Sequence, residues 1–298
     1  MKNQPTNANH FAELTRSVTD AGCRRDPLGR SDLADTGAAS GKRIHLDFEH
    51  HAVRICTLGQ FLILKDGKLL SFGRKTPRKP LALLKMLIAS GGVRAETSLL
   101  SERMWPESDG DAARRSFDVN LHRLRKVLGV ADLLTLSDGK LSFDARKCWI
   151  DVWEFEDILK RIERAISKCP DTGDADYPSL VNELLCVYAG HFLEHETQEA
   201  WAVAYRDRLR AKFARAVMTL AACLEQHRKW DQAAALYSRA LELDNLAESL
   251  YRRLMLCYRE LGETAEALRV YRRCRDLLSV VLSIKPSAET ESICATFR

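Results

Sequence analysis

The sequence predicts an α+β domain followed by an all-α domain of helical repeats. Apolar residues in the first part alternate between strand-like and helix-like spacing, and the later part shows helical spacing with few strand signals. Within that later part, a pattern of small and aromatic residues is repeated after 34 positions. We place the two domains at residues 51–148 and 149–298, after a separate segment at 1–50.

Residues 1–50 are predicted to form a flexible arm or linker. They are poor in apolar periodicity and carry clusters of Asn, Asp, Gly, Ser and Pro, which favour turns over packed elements. A short helix at residues 10–18 is the one exception we expect there.

The α+β domain is predicted to begin and end with a β-hairpin. Asp66-Gly67 and Asp138-Gly139 each separate two short apolar runs, at residues 53–72 and 133–143. Asp-Gly between such runs is the strongest short hairpin signal, because both residues accept the positive φ angles of a tight turn. The order is therefore hairpin, helices, hairpin.

Three helices are predicted between the hairpins, at residues 81–92, 96–105 and 111–128. Gly91-Gly92 and Gly129 supply left-handed caps at the ends of the first and third helices, and Pro106 stops the second. In the third helix, one stripe is apolar and faces the core. Its members are Phe117, Leu121, Leu124 and Leu128.

The helical domain is predicted to contain two helix pairs of the tetratricopeptide kind. Ala233, Tyr237 and Ala240 recur 34 residues later as Ala267, Tyr271 and Cys274. Small residues let paired helices approach closely, and the aromatic residue fills the groove between them. A long amphipathic helix precedes the pairs, with apolar residues at a strict spacing of four: Trp201, Tyr205, Leu209, Phe213 and Val217.

Positive charge is concentrated in one segment of the chain. The whole chain has 46 Lys and Arg against 41 Asp and Glu, a net charge of +5, whereas residues 74–126 have twelve against six. On the third helix, the face opposite the apolar stripe is predicted to carry Arg115, Asp118, Asn120, His122, Arg123 and Lys126. Arg pairs with guanine, Asn with adenine, and a helix fits the major groove of DNA. A solvated charged face is the alternative interpretation of the same pattern.

Several of these motifs together resemble a known pair of domains. TLGQF, KDGKLL, LLSERMWP and RRSFDVNLHRLRKVLG, followed by a hairpin, resemble the OmpR-type winged helix-turn-helix DNA-binding domain over residues 53–147. From Asp151 the chain, with YAGHFLEHETQEAWAVAYRDRLRAKF and the repeats, resembles the bacterial transcriptional activator domain. That domain follows the winged helix in SARP (antibiotic regulatory protein) and AfsR-like regulators.

The resemblance implies roles for individual residues. The third helix would be the recognition helix, and the second hairpin would be the wing, with Asp138 and Lys140 near the minor groove. Relatives commonly have a Gly-Tyr-Arg turn where this chain has Gly139-Lys140-Leu141. Trp105 would touch the DNA backbone through its indole N–H, or would be a core aromatic residue. Phosphate contacts, or a solvated loop, are implied for Arg74, Lys75, Arg78 and Lys79.

The implied function is that of a cytoplasmic, sequence-specific transcriptional activator that binds direct repeats in double-stranded promoter DNA and recruits RNA polymerase. A homodimer and monomers side by side on DNA are both compatible with it. We expect no enzymatic activity, cofactor, metal or membrane span. The alternative function is a scaffold in which the repeats and the basic surface bind proteins. A weaker alternative is a metallohydrolase, because residues 191–195 read His-Phe-Leu-Glu-His.

Overall fold

The computed structural model describes residues 51–72, 76–168, 177–196 and 199–297. Within these residues the strands lie between Val53 and Ile150, together with three helices, and the remainder is helical. The predicted arm at 1–50, with its helix at 10–18, lies outside the described residues.

The first sheet has four strands: β1 (Val53–Cys56), β2 (Leu62–Lys65), β3 (Lys68–Leu69) and β7 (Cys148–Ile150). Their order in the sheet is β3-β2-β1-β7. The predicted turn is confirmed: Asp66 and Gly67 have φ angles of 47° and 74° and join β2 to β3. β7 pairs with β1 in parallel and was not predicted, because three residues give no periodic signal and the partner strand is distant in the sequence.

Three helices follow the first hairpin: α1 (Arg78–Ala89), α2 (Thr97–Met104) and α3 (Gly110–Leu128). The carboxylate of Asp109 accepts a hydrogen bond from the Ala112 amide at 2.7 Å and caps the start of α3. Gly129 adopts the left-handed conformation and ends the helix, as predicted. The predicted apolar stripe of α3 is buried.

A second sheet holds the start of α2 against a hairpin. Its strands are β4 (Ala95–Glu96), β5 (Leu134–Ser137) and β6 (Lys140–Phe143), in the order β4-β6-β5. The turn residues Asp138 and Gly139 have φ angles of 52° and 71°, as the Asp-Gly signal predicts. The hydroxyl of Thr97 donates to the Gly139 carbonyl at 2.9 Å, and this hydrogen bond connects the turn to the start of α2.

The rest of the chain forms seven described α-helices. They are α4 (Asp151–Lys168), α5 (Tyr177–Val187), α6 (Ala200–Gln226), α7 (Trp230–Leu243), α8 (Glu248–Glu260), α9 (Thr264–Leu277) and α10 (Ala288–Ala295), with a π-helical turn at Leu278–Leu282. The tetratricopeptide-like repeat is confirmed, because consecutive helices from α6 to α9 pack together and the small residues at the repeated positions are fully buried.

The α+β part and the helical part share one core. The carboxylate of Asp151, at the start of α4, accepts hydrogen bonds from the Thr57 amide, from the Thr57 hydroxyl at 2.8 Å and from the Leu58 amide at 2.7 Å. Leu58 forms a β-bridge with Phe192, and the Lys85 ammonium pairs with Glu196 at 2.6 Å. These contacts hold β1, the residues that follow it and α1 against the start of α4 and against residues 192–196. No helix in the described ranges is long and apolar enough to cross a membrane.

Candidate nucleic-acid interface

The solvent face of α3 carries the basic side chains that the sequence predicted there. Arg115, Arg123 and Lys126 are exposed, as are Asp118 and His122. The three cations form no ion pair with a carboxylate of the residues that the structure describes. Unpaired guanidinium groups keep all their donors available, so this face can bind an anion or a base edge.

Asn120 does not lie on that face, and its predicted exposure is wrong. Its side chain is 8% exposed, and its Nδ2 donates to the Ser116 carbonyl at 2.8 Å. At about 100° per residue, Asn120 lies roughly 60° from Phe117 and beside the apolar stripe rather than opposite it. Its buried Oδ1 finds no partner among the described residues. We therefore leave Asn120 out of the proposed contact surface.

Val119 lies on the exposed face and was missed by the sequence analysis. Its side chain is 50% exposed and is flanked in sequence by Asp118. Exposure of an aliphatic side chain to water is unfavourable, and a contact with an apolar group would remove that surface from water. The signal was present in the sequence, as an aliphatic residue on the side of the helix opposite its apolar stripe.

The end of α3 is fixed by two other cations. Arg125 donates through Nε and Nη2 to the Leu134 carbonyl, at 3.2 and 2.9 Å, and so joins α3 to β5. Lys65 donates to the Gly129 carbonyl at 2.7 Å and satisfies the helix C-terminus. Part of the local positive charge is therefore structural, and it sets the angle between α3 and the β5–β6 hairpin.

The residues of the hairpin turn and Trp105 differ in how much of each side chain is exposed to solvent. Asp138 is exposed at the turn, where its carboxylate accepts from the Ser137 hydroxyl at 3.1 Å. Lys140 is half-buried and lies opposite Glu96 in the β4–β6 ladder. Trp105 is half-buried against the core at the end of α2, so one part of the ring packs and another part meets solvent.

Two further predicted cations lie at the start of α1. Arg78 and Lys79 are exposed in its first turn, which contains no acidic residue. Cations are unfavourable beside the positive end of a helix dipole unless an anion compensates them. Arg74 and Lys75 lie outside the described residues.

The two histidines of the His-Phe-Leu-Glu-His sequence, which suggested a metallohydrolase, lie in a loop and have different surroundings. His191 Nδ1 is 3.0 Å from the Tyr188 hydroxyl, and burial lowers the pKa of its imidazole. His195 is exposed. Among the residues that the structure describes, no group of three His, Cys, Asp or Glu side chains is placed to hold a metal ion.

The helical half of the chain defines the class of the protein. Residues 150–298 match the bacterial transcriptional activator domain family, which makes the class that of a transcriptional regulator. The match covers half of the chain, so the chain belongs to this family, in agreement with the resemblance to SARP-like regulators noted in the sequence. Regulators of this kind are in general not enzymes.

Two known proteins are similar over most of this chain. The regulatory protein AfsR of Streptomyces griseus is 27% identical over 242 residues, which cover 80% of this chain and 24% of AfsR. Mycobacterium tuberculosis EmbR, solved in complex with a low-affinity phosphopeptide, matches with a TM-score of 0.57 at 18% identity. That match covers 83% of this chain and 65% of EmbR, and it concerns the fold alone. The chain thus spans about a quarter of AfsR.

Proposed function

We propose that residues 51–148 form a winged-helix DNA-binding domain that reads promoter DNA with α3 in the major groove. The observation that carries this proposal is the face of α3 on which Arg115, Arg123 and Lys126 are exposed and unpaired. The β5–β6 hairpin, joined to the same helix through Arg125, corresponds to the wing. Similarity to AfsR and membership of the activator family support this function.

Individual side chains have distinct roles in the proposed complex. Arg115 and Arg123 donate to guanine O6 and N7, and Val119 packs on a thymine methyl group. Asp118 accepts from cytosine N4 or orients a neighbouring Arg, and His122 contacts the base edges or the sugar-phosphate backbone beside them. Lys126 neutralises a phosphate, which adds affinity without sequence preference.

The remaining contacts position the domain on the DNA backbone. We assign phosphate contacts to Arg78 and Lys79 in the first turn of α1, where the helix dipole also attracts an anion. The outward edge of Trp105 donates its indole N–H to a phosphate. Lys140 lies at the wing beside the minor groove. Arg74 and Lys75 would extend the phosphate-binding surface.

The helical domain acts after the DNA is bound. We propose that it brings RNA polymerase to promoters that carry direct repeats of the binding site, and that two copies assemble there. This places the protein in the cytoplasm, on the nucleoid. The shared core supports the assignment, because a domain held rigidly to the reader has a defined position relative to the promoter.

A salt titration tests DNA binding with one reagent. For a duplex DNA bound through several phosphates, the logarithm of the binding constant falls linearly with the logarithm of salt concentration, by about 0.9 for each phosphate neutralised. We expect such a slope for the purified chain, and a smaller slope for Arg78→Ala/Lys79→Ala. The matched control, Arg164→Ala/Arg215→Ala, removes the same charge from exposed positions in the helical domain. A binding constant independent of salt would contradict the proposal.

A protein-binding scaffold is the second candidate function. The observation in its favour is an exposed aliphatic run after α9, in which Val280 is 81% exposed and Val281, Leu282 and Ile284 are about half exposed. Exposed apolar patches mark contact sites in many soluble proteins. The titration separates the two functions, because a scaffold has no reason to bind duplex DNA.

A further inference from the structure

A cleft opens between the α+β part and the helical part, and its lining contains none of the residues assigned above to DNA contacts. It has a volume of about 690 Å³ and is lined by the end of α1, by α2 and by the first turns of α6. This volume lies within the range of sites that hold small molecules. The apolar part of the lining includes Met86 on α1 and Trp201 and Tyr205 on α6.

Two arginines give the cleft its charge. The Arg208 guanidinium lies over the Tyr205 ring, 4.7 Å from its centre, and is held there by stacking. Arg103 reaches the cleft from α2. Neither guanidinium forms an ion pair with a described carboxylate. Among the described lining residues the carboxylate is that of Glu199, which accepts a hydrogen bond from the Trp201 indole N–H at 2.6 Å and orients that ring.

This combination selects one chemistry. Aromatic and aliphatic lining residues favour a flat apolar body, and two guanidinium groups without an ion pair to a described carboxylate favour a carboxylate or phosphate at its edge. We propose that the cleft binds a small aromatic or apolar anion, held between Trp201 and Met86 and paired with Arg103 and Arg208. No described lining residue belongs to α3. The proposal for this cleft can therefore be right or wrong independently of the proposed DNA binding.

A fluorescent aromatic sulfonate, 8-anilinonaphthalene-1-sulfonate, is the probe for this site. We expect saturable binding of one probe per chain and at least tenfold weaker binding to Arg103→Gln/Arg208→Gln. The control Arg164→Gln/Arg215→Gln should bind like the unaltered chain. Phenyl phosphate and benzoate should displace the probe, and their relative strengths tell a phosphate ligand from a carboxylate ligand. Neutral benzyl alcohol should displace it at least tenfold less well.

A second variant keeps the test sharp if the probe also binds elsewhere. Ala204→Trp fills the cleft at an exposed position of α6 and leaves both arginines in place. We expect it to abolish the displaceable binding while far-ultraviolet circular dichroism stays that of the folded chain. Probe binding that survives both the arginine double variant and Ala204→Trp would overturn the proposal, because it would lie on another surface such as the run after α9.

Discussion

Arg123 and Lys126 lie one turn apart on α3, yet they should contribute differently to DNA recognition. Arg123→Ala removes a base contact, so we expect a loss of about 1–3 kcal/mol confined to one base-pair position of the site. Lys126→Ala removes a phosphate contact and should weaken all sequences alike, with a salt slope smaller by about one. Binding measured on a set of single-base variants of the site distinguishes them. Equal losses on every sequence for Arg123→Ala would contradict its role.

Val119 supports a prediction at the level of a single methyl group. If its exposed side chain packs on thymine, replacing that thymine by deoxyuridine should cost about 1 kcal/mol with the unaltered chain and nothing with Val119→Ala. Competition binding on a duplex with each thymine replaced in turn locates the position. Val93→Ala, another exposed valine, is the matched control and should keep the discrimination. If replacing each thymine in turn leaves binding unchanged, the contact is refuted.

Asn120 shows where residue-level prediction failed. Its residue type suits adenine recognition, and its place within a basic helix suggested an outward orientation. The backbone phase of the helix decides otherwise, because residues three apart share a face and Phe117 is buried. A careful helical projection would have found this from the sequence. The contact of its Nδ2 with the Ser116 carbonyl could not have been found that way.

At the scale of elements, the two repeat turns offer an internal comparison. Arg228 and Gly262 occupy the same place in successive repeats, with φ angles of 55° and 75°. The hydrogen bond of the next residue also repeats: the Lys229 amide donates to the Leu224 carbonyl, and the Glu263 amide donates to the Tyr258 carbonyl. A left-handed conformation costs a non-glycine residue roughly 1 kcal/mol. The first turn therefore stores strain that the second avoids.

We expect Arg228→Gly to raise the free energy of unfolding by about 0.5–1 kcal/mol, reduced in part by the greater freedom of glycine in the unfolded chain. Gly262→Ala should lower it by about 1 kcal/mol. A Cβ at Gly262 meets no atom within 4 Å, so the effect would come from the backbone alone. Urea denaturation measures both variants. Destabilisation by Arg228→Gly would show that the arginine side chain makes a contact worth more than the strain.

Most elements could be predicted because their signals are local. The Asp-Gly turns, the Gly129 cap and the repeated alanines each act within a few residues or at a fixed spacing. β4 and β7 could not be predicted, because they are two and three residues long and form only by pairing with distant strands. Within the candidate site, exposure of the arginines followed from helical phase. The roles of Arg125 and Lys65 did not, because their carbonyl partners belong to other elements.

At the scale of the whole molecule, two glycines bring the two parts of the chain together. Gly190 and Gly59 approach so closely that a Cβ at Gly190 would lie 2.8 Å from the Gly59 Cα. The Gly59 amide also donates to the His191 carbonyl at 3.1 Å. We expect Gly190→Ala to lower the free energy of unfolding by about 1–3 kcal/mol, because backbone must move to make room. Gly110→Ala, where a Cβ meets open space, is the control. Equal stability of the two variants would mean that this contact can relax freely.

Asp151, which joins β1 to α4, should make stability depend on pH. Burial raises the pKa of its carboxyl to about 6 from the ordinary 3.8, although the amide donors around it act in the opposite direction. A raised pKa in the folded state means that its stabilising effect is present below pH 4 and is lost as the pH rises through 6. We expect the free energy of unfolding, relative to Asp151→Asn, to fall by about 2 kcal/mol between pH 4 and pH 7. Parallel pH profiles of the two proteins in urea would contradict this.

The measurement that tests the central claim most directly is selection of bound genomic fragments by the purified chain at near-physiological salt. It is repeated with Arg115→Ala/Arg123→Ala and with the control Arg164→Ala/Arg215→Ala. We predict an enriched motif, arranged as direct repeats near promoters, that is lost in the first variant and retained in the control. Enrichment of no motif, or the same motif with all three proteins, would contradict sequence recognition through α3.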